Sequence, residues 1–125
     1  MAAASATLHE DAARLGPEAI DRHRATVSIM EELEAADWYD QRALATEDGE
    51  LRAILTHNRD EEKEHAAMLL EWLRRHDPAL NDHLKTFLFS DGPIHEPETA
   101  ATAATAAPDP IGDGSLEIGS LRGDA

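Results

Sequence analysis

Between Pro17 and Pro78 the chain contains a single stretch hostile to a helix, "TEDG" at Thr46–Gly49. No proline and no other glycine falls in that interval, so the simplest fold is two long helices joined by one tight turn. The first runs from Glu18 to about Thr46 and the second from Glu50 to His76. Upstream, Gly16-Pro17 marks a break or the end of a short preliminary helix, with Pro17 in the first turn of the next one. Asp77-Pro78 stops the second helix and can cap a shorter third, in which Leu80, Leu84, Phe87 and Leu88 recur at helical spacing. After Ser90 the composition turns to Pro, Ala, Thr, Gly and Asp, which packs no core. The expected fold is therefore all-α: a two-helix antiparallel hairpin plus a short C-terminal helix, followed by a disordered tail. The helical domain is expected over residues 1–90, a flexible linker over 91–113 and a separate terminal segment over 114–125.

The second helix carries a seam at alternating steps of four and three: Leu51, Leu55, Asn58, Glu62, His65, Leu69 and Trp72. That is the pattern of a helix packed in a bundle, but its middle is polar. Glu62 and His65 stand where leucine would be expected, and they form a Glu-x-x-His unit. A buried unpaired carboxylate costs several kcal/mol or takes up a proton, on the order of the usual burial penalties. A metal ion compensates directly.

The first helix supplies a matching stripe of Ala25, Ile29, Glu32, Ala36, Tyr39 and Ala43, in which Glu32 is the lone carboxylate. Folded back at Asp48, Glu32 and Glu62 lie about 24 and about 21 Å from the bend at 1.5 Å per residue, hence level within a turn. His65 lies one turn beyond Glu62 on the same face. One hairpin thus assembles half of a dinuclear centre, because the complete four-helix carboxylate site takes two Glu-x-x-His units and two further glutamates. This chain has only one Glu-x-x-His, so the other half is expected from a second copy across a two-fold axis, closing a four-helix bundle. Metal-dependent association follows from that arrangement.

The chain has no cysteine, so thiolate ligands and disulfides are excluded. Carboxylate with one imidazole per ion suits iron, with redox-inert zinc the less natural occupant. A net charge of −15 argues against nucleic acid and against an anionic membrane as partners. The N-terminus lacks the basic and apolar regions of a secretory signal, and no run approaches a membrane span, so a cytoplasmic protein is the default expectation.

Other residues admit two readings each. Tyr39 lies seven residues after Glu32 on the same face; it either serves the centre by hydrogen bonding or electron donation, or packs with a satisfied hydroxyl. Glu31, Glu34 and Trp38 form a neighbouring stripe, an acidic funnel for cations if mirrored across a two-fold axis, and otherwise a solvated face. His57, Glu61 and Glu64 form a further stripe away from the Glu62 seam, an external metal site or an ordinary acidic surface. Lys63 is expected to point outward. His9, His23, His76, His83 and His95 have no convincing partners. In the tail, Leu116 and Ile118 alternate across Glu117 and Leu121 continues the apolar set, as in an extended segment that docks into pockets.

At "MEELEAADWYDQRA" (Met30–Ala43) and "HNRDEEKEHAAMLLEWLRR" (His57–Arg75) the chain resembles the encapsulated ferritins. The terminal "GSLEIGSLRG" (Gly114–Gly123) resembles an encapsulin cargo-loading peptide. The resemblance implies a half-ferritin hairpin that dimerises into a ferritin-like ferroxidase bundle, with contacts of the third helix closing dimers into a ring-shaped homodecamer. It implies oxidation of Fe²⁺ to Fe³⁺ for storage inside an encapsulin nanocompartment. By the same resemblance Glu32, Glu62 and His65 are the di-iron ligands, and Tyr39 stands beside the centre. Glu31, Glu34 and Trp38 become an entrance site at the dimer interface, where other divalent cations could also bind. Leu116, Ile118 and Leu121 become the shell-docking residues. The competing expectations are a non-catalytic, metal-sequestering helical cargo or oligomerisation protein, and a di-iron oxygenase of an organic substrate. So short a hairpin offers the oxygenase no evident apolar pocket.

Overall fold

The computed structural model describes residues 7–96. Three helices occupy them: α1 (Ala12–Ala45), α2 (Gly49–His76) and α3 (Pro78–Phe87). The chain divides into two units, residues 1–81 and 82–125. The hairpin of α1 and α2 lies wholly in the first.

Helix α1 starts earlier than Pro17. Asp11 caps it, its carboxylate accepting from the Ala13 amide at 3.2 Å. The break expected at Gly16-Pro17 is a kink within α1 at Gly16, whose φ of 83° is tolerable only without a Cβ. Helical backbone continues on both sides, with Pro17 at the restart, where its missing N–H costs nothing. The turn at "TEDG" is Thr46–Asp48. Thr46 closes α1 by donating its amide to the Arg42 carbonyl at 3.0 Å, and Asp48 opens α2 by accepting from the Leu51 amide at 2.8 Å. Arg52 then reaches back, donating to the Ala43 carbonyl at 3.0 Å and to the Thr46 carbonyl, so the exposed carbonyl end of α1 is satisfied by α2. Asp77 caps α3 by accepting from the Leu80 amide at 3.0 Å, as the Asp-Pro pair suggests.

The hairpin's own core is small. The buried apolar residues among those described are Ala25, Ala36, Ala43, Ala66 and Leu73. The alanine stripe expected on α1 is present, with Ile29, Glu32 and Tyr39 half-buried beside it. The seam expected on α2 is only partly covered by a single hairpin. Leu51 is exposed, and Leu55, Asn58, Glu62, His65, Leu69 and Trp72 are only half-buried. Ala66 and Leu73 are the buried positions of α2, Arg59 is half-buried with its guanidinium on Asp40, and the seam residues Glu62 and His65 face Glu32 of α1. The largest apolar stripe of α2 is therefore left partly open by the hairpin. Leu33, Trp38, Leu44, Ile54 and Met68 are exposed as well.

In the second unit α3 ends with Leu88 donating its amide to the Leu84 carbonyl at 2.9 Å, followed by Phe89 at a φ of 60°. The expected linker and the terminal segment with Leu116, Ile118 and Leu121 lie outside the described residues, apart from residues 91–96. No described helix is long and apolar enough to cross a membrane.

Candidate metal centre

Glu32 comes from the middle of α1, Glu62 and His65 from the middle of α2. They meet because the two helices leave the turn antiparallel and rise equally per residue. One ligand atom from each lies within 4.8 Å of the other two, and this is the one such His/carboxylate group among the described residues. His65 Nδ1 stands 3.3 Å from Glu32 Oε1 and 3.4 Å from Glu62 Oε1. All three side chains are half-buried, with Glu32 and Glu62 at 27% and 22% exposure. They are sheltered by the hairpin on one side and open on the other.

The closeness of the three side chains favours the protonated forms of Glu32 and His65. A hydrogen bond that the protonated Glu32 carboxyl donates to Glu62, with burial behind it, raises Glu32 above its ordinary 4.5, against the opposing pull of His65. Burial alone would lower the His65 imidazole. The hydrogen bonds and charges of Glu32 and Glu62 together outweigh it and hold the ring above 6.5. Two carboxylates at hydrogen-bonding distance favour a shared proton, and an imidazolium beside them favours their charge.

These shifts carry a sign. Glu32 and His65 hold protons more tightly folded than unfolded, so their contribution to stability is complete below pH 4.5 and 6.5 respectively and is lost as pH rises through the folded values. Glu71 is the reverse. Hydrogen bonds from Arg74 and Arg75 hold it at about 2, so its contribution is present above pH 4.5 and lost on acidification toward about 2. The metal-free protein is expected to melt at falling temperature as pH is raised from about 6 through the folded His65 value, where the ring loses its proton. Metal affinity is expected to rise over the same range, because ligands must shed protons. Melting curves with chelator and with divalent cation test both; a metal-free melting temperature that rises with pH would contradict the first.

The other candidates are placed as follows. Tyr39 is half-buried, its ring 5.5 Å from the Arg42 guanidinium, and no hydrogen bond joins its hydroxyl to the three ligands. Glu31 and Trp38 are exposed and Glu34 half-buried, and they form no metal-holding group within one chain. His57 and Glu61 approach at 3.9 Å, with Glu64 exposed nearby on the helix. Glu61 is not remote from the centre as its stripe suggested. One of its oxygens lies 3.9 Å from His65 Nε2, on the ring edge opposite Glu32 and Glu62, beyond hydrogen-bonding distance. The i, i+4 spacing of Glu61 and His65 was the available signal. His76, read as partnerless, stacks on Trp72 with ring centroids 3.9 Å apart, and its Nδ1 lies 2.7 Å from the Trp72 carbonyl. Lys63 is exposed as expected.

A helical hairpin that presents Glu from one helix and Glu-x-x-His from the other is, in class, half of a ferritin-type carboxylate–histidine centre. The comparisons agree: the EncFtn-like family matches residues 7–91, and the chain belongs to that family. It is 57% identical over 132 aligned positions to the encapsulated ferritin-like protein of Rhodospirillum rubrum, across 100% of this chain and 94% of that one. It is 53% identical over 90 residues to a ferritin-like protein of Thermotoga maritima, across 72% and 79% of the two chains. An encapsulin nanocompartment cargo protein of Myxococcus xanthus, EncC, is 36% identical over 77% of this chain and 80% of its own. Among solved structures, protein NE0167 of Nitrosomonas europaea superposes with a TM-score of 0.67 at 59% identity, covering 70% of this chain and 96% of that one.

Proposed function

We propose that this protein oxidises Fe²⁺ to Fe³⁺ at a di-iron centre shared by two copies, and delivers the product for mineral storage inside an encapsulin shell. The observation that carries this reading is the convergence of Glu32, Glu62 and His65 within 4.8 Å. Iron is the substrate. Two ferrous ions each give up one electron, and dioxygen with two protons becomes hydrogen peroxide, or hydrogen peroxide with two protons becomes two waters. Glu32 and Glu62 supply hard oxygen donors whose preference for charge grows from Fe²⁺ to Fe³⁺, and His65 supplies one nitrogen.

Three ligand atoms leave a coordination shell incomplete. Two hairpins about a two-fold axis supply four carboxylates and two imidazoles, the full ferritin set, and form a four-helix bundle. The half-buried Leu55, Leu69 and Trp72, which flank the ligands on α2, give that bundle its apolar contact. Beyond the dimer we infer a ring-shaped homodecamer. Glu31, Glu34 and Trp38 become an entrance site for cations at the dimer interface, Tyr39 a neighbour of the centre, and His57, Glu61 and Glu64 an external cation site. Residues 1–90 act as the half-ferritin domain, 91–113 as a linker, and 114–125 as the shell-targeting peptide through Leu116, Ile118 and Leu121. The alignment with the Rhodospirillum rubrum relative, which spans the whole of this chain, supports including the tail. The working location is the cytoplasm, within the nanocompartment.

Stopped-flow absorbance after mixing Fe²⁺ with aerobic protein tests the activity. Formation of Fe³⁺ well above the buffer rate is expected; a rate equal to buffer would favour a metal-sequestering cargo protein. Deleting residues 114–125 is expected to abolish co-purification with encapsulin while leaving that rate unchanged.

A further inference from the structure

The three ligands come from two helices, so the centre exists only while α1 and α2 keep one axial register. A slip of one residue moves Glu32 by about 1.5 Å relative to Glu62, whereas a working site tolerates about 0.5 Å. The apolar contact is poorly suited to prevent such a slip. Four of its five buried residues are alanines, whose methyl groups make shallow ridges and grooves.

Polar contacts across the hairpin are therefore decisive, and three residues of α2 make them. Arg52 does so at the turn, through the Ala43 and Thr46 carbonyls. His65 does so through Glu32, but this contact is part of what must be positioned. Between them stands Arg59. Its Nη1 donates to Asp40 Oδ1 on α1 at 2.8 Å, and its Nε donates to Asp60 Oδ1 at 3.0 Å. The Arg59 side chain is only 23% exposed. Asp40 adjoins Tyr39, and Arg59 precedes Glu62 by three residues, about 4.5 Å along the axis. The bridge thus ties α1 to α2 between the turn and the centre, three residues from Glu62 on α2 and eight residues, about 12 Å, from Glu32 on α1, and a slip there is carried along both helices to the ligands. A guanidinium is well suited to this task because its planar fork fixes direction as well as distance.

We propose that Arg59 and Asp40 are the positioning residues of the centre: their bridge sets the register of α1 against α2 and so keeps Glu32 level with Glu62 and His65. This rests on the assignment of those three residues as metal ligands. An alternative, that Arg59 serves the carboxylates of the centre as a counter-charge, is disfavoured because its guanidinium is already engaged by two aspartates. A purely stabilising role makes a different forecast, since replacing a part-buried ion pair by apolar groups of similar size is often neutral or favourable for stability.

The test uses the full-length protein stripped of metal and titrated with Co²⁺, whose ligand-field spectrum reports coordination without any oxidation. Variants are Arg59→Lys, which keeps the charge but loses the fork, and the double change Arg59→Met with Asp40→Leu. Helicity and melting temperature of the double variant are expected to stay at or above wild type. Its Co²⁺ affinity is expected to fall about tenfold, the lower end for loss of a residue that orients ligands, with an altered ligand-field band. Arg59→Lys is expected to fall between the two in affinity. Wild-type Co²⁺ affinity and spectrum in both variants would overturn the proposal, as would affinity losses that simply follow losses of melting temperature. A wild-type protein that binds Co²⁺ but fails to oxidise Fe²⁺ would instead sink the oxidase reading and leave the positioning role standing.

Discussion

The Glu62→Ala protein is expected to oxidise Fe²⁺ no faster than buffer, a loss of at least about 100-fold against wild type. Loss of a residue that only orients a metal ligand costs about 10–100-fold, and the proposed function makes Glu62 itself a ligand. In a two-fold dimer each substitution removes two of the four carboxylates, one from each half of the site. Glu32→Ala and His65→Ala should behave alike, because each removes a donor from a group that has only three per chain. Helicity should be retained, since none of the three belongs to the buried set Ala25, Ala36, Ala43, Ala66 and Leu73. Stopped-flow kinetics with circular dichroism checks both halves. A Glu62→Ala protein that is helical and still oxidises Fe²⁺ at more than a tenth of the wild-type rate would place the reaction elsewhere.

Chelation is expected to dissociate the dimer, and restoring Fe²⁺ under argon to rebuild it. Four carboxylates brought to one axis repel unless cations or protons intervene. A ligand that binds only the assembled state stabilises it by about 4 kcal/mol at 1,000 times its dissociation constant. That is a thousandfold change in the association equilibrium. Because Glu32 takes up a proton more readily than an ordinary glutamate, mild acidification should partly substitute for metal. Native mass spectrometry at two pH values, with and without Fe²⁺, reads the whole scheme. An oligomer distribution indifferent to chelator at neutral pH would uncouple assembly from metal.

The physical reason for expecting association is visible in how little one hairpin buries. Four alanines and a leucine form its core, while Leu33, Trp38, Leu44, Leu51, Ile54 and Met68 stay exposed. A core this small gains from a metal, a disulfide or a partner subunit, and the chain has no cysteine.

The sequence by itself determined the elements and the site. The second helix, the turn, the Asp77 cap and the level placement of Glu32 against Glu62 and His65 follow from local rules: breakers, capping and a fixed rise per residue; the start of α1 at Ala12, across the kink at Gly16, does not. Only the tertiary structure decided which face of α2 meets α1. The widest apolar stripe, Leu51 through Trp72, is left partly open by the hairpin, and Ala66 and Leu73 are the residues of α2 that are buried. Hydrophobic patterning selects the largest apolar stripe without saying which neighbour covers it. A shift of one position rotates a helix by about 100°, and that choice is made by the opposing surface. Here Arg59 reaches Asp40 on α1, and Arg52 reaches the carbonyls of Ala43 and Thr46. The Arg59–Asp40 bridge, the approach of Glu61 to His65 and the Trp72–His76 stack depend on side-chain rotamers and on that rotation, which helical periodicity does not specify.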